Sequence, residues 1–306
     1  MKLLCCGDLH LRATAPRYRI DNYYETQMGK LKWIFELARE ESCEAILQPG
    51  DFFDSPNIPN HVLSDVLELL YKYDHNTVYT VFGQHDLRYR NMENSALSVV
   101  EIAGGVVTEN TILVGGRIAI YGSSWEQPIP EVLNKDAVNI LLMHRMVVHE
   151  KPLWPGQTDY TKAGSFMKKY SDFDLVVSGD NHQSFIWAEY DKETDEWGRW
   201  LINCGSMMRM TTAQQEHKPC VWVYDTETKE AIRHFIPIEK DVFSPEAVEI
   251  KERNKELEAF ITTLKQDRST MLSFDDNIAE LVKAEQFSIA LKKLVNGFME
   301  GYYGSR

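Results

Sequence analysis

Short apolar runs that stop at glycine alternate, over the first half of this chain, with longer stretches of helical periodicity. Leu3-Leu4-Cys5-Cys6 reads as a buried strand ending at Gly7. Over residues 20–41, Tyr24, Met28, Leu31, Phe35 and Ala38 recur at steps of four and three, which puts them on one face of a helix. Glu44 to Gln48 is the next strand, stopped by Pro49-Gly50. Residues 60–73 are helical, with Val62, Val66, Leu69 and Leu70 on one side, and Thr77 to Phe82 is a β-branched strand stopped by Gly83. A short helix near 92–103 and two strands near 111–121 follow. Val138 to Met143 is a buried strand ending at His144, and residues 145–164 read as a long polar loop. Leu175-Val176-Val177 is a further strand before Gly179, and strands then dominate at 184–190, 199–203, 219–225 and 231–237.

Alternating strands and helices, followed by a run of strands, predict an α/β fold of layers, with mixed central β-sheets flanked by helices. The character changes near Pro245. Residues 246–265 and 286–303 are charged and helical, and in the second stretch Phe287, Leu291, Leu294, Phe298 and Tyr302 step by four, three, four and four. A boundary near 241 is expected, with a main domain over 1–240 and a small helical region over 241–306.

Composition narrows the picture. The 306 residues suffice for one large domain and an appendage, and 43% hydrophobic with 26% charged residues is ordinary for a soluble protein. Five cysteines, an odd number without a CxxC pair, suggest reduced thiols in an intracellular, cytoplasmic setting. Met1 to Cys6 is too short for the apolar region of a leader peptide, and no stretch approaches the roughly 18 apolar residues of a membrane span. Lys and Arg number 33 against 46 Asp and Glu, a formal net charge of −13. Phosphate backbones are held by basic surface, so this balance argues against a protein that coats nucleic acid unaided. A nuclease remains compatible, because a metal pair adds local positive charge and arginines or a partner subunit can supply the rest.

The chemistry sits at strand ends. Four strands run into Gly7-Asp8-Leu9-His10, Gly50-Asp51, Gly83-Gln84-His85-Asp86 and Gly179-Asp180-Asn181-His182, and a fifth ends at His144. In α/β sheets ligands collect at the carboxyl ends of strands, and a glycine there lets the backbone turn sharply. A Gly-Asp pair after a strand is usually only a turn, and a lone histidine is usually not a ligand. Turn chemistry, however, does not call for histidine at these repeated positions. Together the five ends carry enough oxygen and imidazole for two metal ions about 3.5–4 Å apart.

This ordered series resembles the calcineurin-like metallophosphoesterases, whose motifs run D-x-H, G-D, G-N-H-D, H and G-H-x-H. The resemblance spans roughly residues 1–205. Within the superfamily the chain looks most like SbcD-type DNA-repair and recombination exonucleases, including phage ones. The residues similar to that branch are Gly7 to Leu11, Gly50-Asp51-Phe52-Phe53-Asp54, and Cys204-Gly205-Ser206 with Arg209. The resemblance implies that Asp8, His10 and His182 hold one metal, that His144, Gln84 and Asp180 hold the other, and that Asp51 bridges both. It implies that His85 does not bind metal but stabilises the phosphate or protonates the leaving oxygen, with Asp86 orienting it. Two positions depart from the pattern: Gln84 stands where the family has Asn, and Asp180 where it has the first His of G-H-x-H. Both are oxygen donors and both belong to the same metal, which suggests a retuned site. A carboxylate-rich set suits Mn²⁺ or Mg²⁺.

Arg12, Arg88 and Arg209 are expected at the substrate, since two of them follow metal motifs directly. The partners implied are DNA and an SbcC-type coiled-coil ATPase, with self-association as a homodimer left open and no membrane involved. The helices after 241 have two readings, docking on the ATPase or forming a reduced cap over the DNA channel. Two other functions compete with a DNA exo- or endonuclease: a phosphatase or phosphodiesterase on a non-DNA substrate, and a catalytically weakened scaffold.

Overall fold

The computed structural model describes residues 1–108, 111–114, 116–154, 156–192, 196–250 and 292–293. In chain order its elements are β1 (Lys2–Cys5), α1 (Tyr23–Glu40), β2 (Ala45–Gln48), α2 (Asn60–Lys72), β3 (Thr77–Thr80), α3 (Ala96–Ile102), β4 (Thr111–Val114), β5 (Ile118–Ser123) and β6 (Val138–Met143). There follow β7 (Val147–Val148), β8 (Thr161–Lys162), α4 (Ala163–Lys169), β9 (Leu175–Ser178), β10 (Phe185–Asp191), β11 (Glu196–Asn203), β12 (Cys220–Asp225) and β13 (Ala231–Phe235). Helix α1 begins where Asn22 accepts a hydrogen bond from the Glu25 N–H, three residues later than its apolar periodicity suggests.

The strands form two large sheets. One has the order β13-β12-β1-β2-β3, the other β10-β11-β9-β6-β5-β4. In the first, β1, β2 and β3 run parallel, with Leu4 opposite Ile46 and Ile46 opposite Val78. In the second, β5, β6, β9 and β11 run parallel. The antiparallel strands lie at the margins, which makes both sheets mixed.

Alternation along each strand decides the layers. Leu3 and Cys5 of β1, Leu47 of β2, Ile140 and Leu142 of β6, and Leu175 and Val177 of β9 share one buried cluster between the sheets. Leu4, Ile46 and Val78 face the other way and pack with α1, α2 and α3. Leu141, Met143 and Val176 face α4 through Phe166 and Met167. Strands buried on both faces read as continuous apolar runs, and this is why β1, β2, β6 and β9 were legible as strands.

The stretch 145–164, expected to be a polar loop, contains the parallel pair β7 and β8. Helix α4, beginning at Ala163, was not foreseen. It has seven residues and only three buried side chains, Ala163, Phe166 and Met167, too short a repeat to stand out in sequence. Among the described residues no helix is long and apolar enough to cross a membrane. All five cysteines are free and buried.

The chain divides into two compact units, one of residues 1–17, 21–210 and 214–240, the other of 18–20, 211–213 and 241–306. In the second, the Ile20 N–H donates to Val242 and the Ser244 N–H to Tyr18, and Arg19 lies over the Phe243 ring. Residues 245–250 are helical. The remainder of the helix expected over 246–265, and that over 286–303 apart from 292–293, lie outside the described residues.

Ile140 is wholly buried between the sheets. Ile140→Ala should destabilise the fold by about 2–5 kcal/mol, read as a lower denaturation midpoint with an unchanged slope.

Candidate metal centre

The parallel strands of both sheets end at one place. Cross-connections between their terminal loops establish this. The Asp180 N–H, after β9, donates to Asp8 Oδ2 at 3.1 Å. The His144 Nδ1, after β6, meets the Pro49 carbonyl at 2.7 Å, and the His85 N–H donates to Asp51 Oδ1 at 2.9 Å. Asp8, His10, Asp51 and His144 are buried.

Two groupings of donor atoms result. Asp8, His10 and His182 bring one atom each within 4.8 Å of one another, and so do His10, Asp51 and His85. The Nε2 atoms of His10 and His182 face each other at 3.1 Å. Asp51 Oδ2 lies 3.6 Å from His10 Nε2 and 3.4 Å from His144 Nε2, between the two histidines. Because His144 Nδ1 donates to Pro49, Nε2 is the atom turned toward the centre, and it would offer a lone pair to a metal once its own proton is displaced.

Among the described residues, five buried atoms here make no hydrogen bond: Asp8 Oδ1, His10 Nδ1, Asp51 Oδ2, Gln84 Oε1 and His144 Nε2, of which Asp51 Oδ2 and His144 Nε2 face each other as an ion pair at 3.4 Å. Buried polar atoms are almost always paired, so five such atoms in one cluster are what a set of donors awaiting divalent cations looks like. The residues present fit such ions in number, in hardness and in aim.

The protonation states agree. Burial drives the Asp8 carboxyl well above the usual range; His144 opposes this, while Asp51 and Asp180 add to it. Burial opposes charge on His144, yet Asp51, Asp8 and Asp180 outweigh it and push the imidazole up to about 10. Burial alone would raise Asp51, but His144, His10 and His85 pull it down to about 2. Burial and the neighbouring His10 bring His182 down to about 4, leaving it neutral with a free lone pair. The crowded carboxylates thus demand positive charge, which divalent cations would supply in place of protons.

Local backbone geometry is part of the design. His10, Asp51 and Asp180 adopt left-handed φ values of 46°, 50° and 73°, conformations that cost about 1–3 kcal/mol each in a non-glycine residue. Gly179 is required for space: a Cβ there would meet Asp8 Oδ1 at 2.6 Å, the Pro49 carbonyl at 2.6 Å and His144 Nδ1 at 2.7 Å.

A profile of the calcineurin-like phosphoesterase family matches residues 1–184. The chain belongs to this family. Calcineurin-like phosphoesterases are hydrolases with dimetal sites, and this fold is of that kind. Among solved structures the chain is similar to a dimetal phosphatase from Danio rerio, at 12% identity and a TM-score of 0.47 over 78% of this chain and 99% of that one. It is similar to TT1561 of Thermus thermophilus, at 13% identity and a TM-score of 0.44 over 77% and 99%. It is also similar to the nuclease MPE of Pseudomonas putida, at 15% identity and a TM-score of 0.33 over 72% and 82%. Comparison with curated proteins finds no match.

Against the family pattern, the two unusual positions meet each other. Gln84 Nε2 donates to Asp180 Oδ1 at 3.0 Å, which leaves Gln84 Oε1 buried without a hydrogen bond among the described residues. His85 is the exposed member of the cluster, and one of its ring nitrogens lies within 4.8 Å of a donor atom of His10 and of Asp51.

Two expectations need correction. Asp86 does not orient the His85 ring. It is wholly buried, and its oxygens accept the N–H groups of Phe52, Phe53 and Gly83 at 3.1, 2.9 and 3.0 Å. Burial, with the charge of Asp51, raises Asp86 to about 7 against those three donors. It ties the Asp51 loop to the Gly83 turn, while the His85 Nδ1 meets the Asp54 carbonyl at 3.1 Å. Arg209, expected at the substrate, is buried and donates to the backbone carbonyls of Gln215 and Glu239. It clamps loops together. Arg12 pairs with Asp54 at 2.9 Å, and Arg88 is exposed. Asp54 and the Pro49 carbonyl had no role in the sequence reading. Asp54 lay within the quoted motif run, whereas a backbone carbonyl has no signature in sequence.

If the orphaned atoms await cations, excess Mn²⁺ should raise the melting temperature, by about 2.7 kcal/mol of stabilisation at a hundredfold excess over Kd. Gly179→Ala removes no donor atom but intrudes among three of them, and it should abolish most of that rise in a thermal-shift titration.

Proposed function

We propose that this phosphoesterase is a two-ion phosphodiesterase acting on DNA, the nuclease subunit of a repair or recombination assembly with an SbcC-type coiled-coil ATPase. The observation that carries the hydrolytic part is the cluster of orphaned donors on Asp8, Asp51, Gln84 and His144. Asp8, His10 and His182 would hold one ion and Gln84, His144 and Asp180 the other, with Asp51, which lies between His10 and His144, as the ligand available to both. When bound, such a pair lowers the pKa of a water and neutralises charge on the phosphate during in-line displacement. The hard oxygen donors favour Mn²⁺, with Mg²⁺ as the alternate.

The chain's own groups do the positioning. The Asp180 N–H fixes one oxygen of Asp8 and thereby aims the other into the centre. Asp86 holds the turn that carries Gln84 and His85. His85, at the exposed face with its Nδ1 held by the Asp54 carbonyl, donates a proton to the departing oxygen or hydrogen-bonds the phosphate. DNA as substrate rests on the order of motifs shared with SbcD-type nucleases and on Arg12 and Arg88 beside those motifs. The net charge of −13 fits a subunit that relies on its partner for much of the basic surface. The same charge favours the rival reading, a phosphoesterase on a non-DNA substrate.

Rates with Mn²⁺ on single-stranded DNA, a phosphodiester chromogen and a phosphomonoester chromogen separate these readings. Hydrolysis of the monoester alone would overturn the nuclease. His85→Ala should lower phosphodiester hydrolysis by at least 10²-fold while two ions per chain are still counted by metal analysis; loss of an ion would make His85 a ligand. Asp180→Ala should retain one ion of two and lose most activity, visible as one Mn²⁺ peak in anomalous maps.

A further inference from the structure

Three residues past His85 the chain makes a tight turn. Arg88 and Asn91 exchange both backbone hydrogen bonds, at 3.1 and 2.9 Å, around Tyr89 and Arg90. Both central residues have left-handed φ values, 53° and 62°. Turns of this hand select Asn-Gly, because most side chains strain the backbone there. Here the two positions carry Tyr and Arg, and Tyr89 is 92% exposed. Its ring contributes little to any core, so neither turn chemistry nor packing accounts for it.

The surroundings suggest what does. The Arg88 guanidinium lies 5.8 Å from the Tyr89 ring centroid, and among the described residues no carboxylate pairs with it. Arg90 lies over the half-buried Trp125 at 5.5 Å and pairs with Glu126 at 3.3 Å. The Trp125 backbone N–H donates to the Phe82 carbonyl at 2.8 Å, two residues past β3 on the way to Gln84 and His85. The His144 N–H donates to Ser123, at the start of the same loop. The turn is therefore tethered to two of the strand ends that build the metal centre. An exposed aromatic ring flanked by a guanidinium that no described carboxylate pairs is the combination that takes a nucleobase and its phosphate, since every base has a π-face and every linkage a charge.

We propose that Tyr89 is a stacking platform for an unpaired base of the strand whose phosphate enters the metal centre, with Arg88 on an adjacent phosphate. This rests on the reading of DNA as substrate and adds a preference for single-stranded or frayed ends over intact duplex, in which bases are not free to stack on a side chain.

The test is a binding experiment on the full chain, with Ca²⁺ in place of Mn²⁺ to hold cleavage down. Anisotropy is measured for a short single-stranded oligonucleotide and for copies with one abasic residue at successive positions. The intact protein should lose roughly tenfold in affinity at one abasic position. Tyr89→Asn, which suits the left-handed turn, should lose the same factor on the intact oligonucleotide and no more on that abasic copy. Tyr89→Phe should restore binding. If Tyr89→Asn binds the intact oligonucleotide like the unaltered protein, the platform is wrong although DNA stands as substrate. If the unaltered protein binds no oligonucleotide yet hydrolyses a phosphodiester chromogen with Mn²⁺, the DNA reading fails and takes the platform with it.

Discussion

Three carboxylates, Asp8, Asp51 and Asp180, converge with the imidazoles of His10, His144 and His182 where the parallel strands of two sheets end. Much of the surrounding structure can be understood as the means of holding like charges together. The Asp180 N–H and the His85 N–H each take one oxygen of a neighbouring carboxylate, and the Pro49 carbonyl fixes the tautomer of His144. What these contacts leave unsatisfied is the inward-facing half of each donor. In a buried setting that deficit is met by protons or by cations, and the shifts of Asp8 and His144 show the protein reaching for protons.

The cost of that convergence is written into the backbone. His10, Asp51 and Asp180 all sit in the left-handed region, and Gly179 leaves no room for even a methyl group. Such geometry persists only when the scaffold over-determines it. The scaffold here is the doubly buried pair of sheets, whose shared apolar cluster runs from Leu3 to Tyr224, and the wholly buried Asp86, which binds two site loops through three backbone donors. Rigid strands and strained ends are complementary parts of one device.

The legible parts of this molecule were those with a strong local signature. Continuous apolar runs ending in glycine marked β1, β2, β6 and β9, and the repeated Asp and His after them pointed to one site, because strand ends in such sheets face the same way. Asp86 and Arg209 were misread for a shared reason: a charged side chain beside a motif looks the same in sequence whether it turns to substrate or to backbone carbonyls and N–H groups. Helix α4 was too short to show a period, and the role of the Pro49 carbonyl depends on a contact between residues 95 positions apart. Nothing local announces such a contact.

The bond between Gln84 and Asp180 couples what either residue can be replaced by. Each departs from the family's usual residue, and each now satisfies the other. Reversion of either one alone would strand its partner. Gln84→Asn would leave the side-chain amide a methylene short of the Asp180 oxygen, and Asp180→His would leave the Gln84 amide without its acceptor. The two side chains therefore act as a pair, and a change at either one alters the other's surroundings.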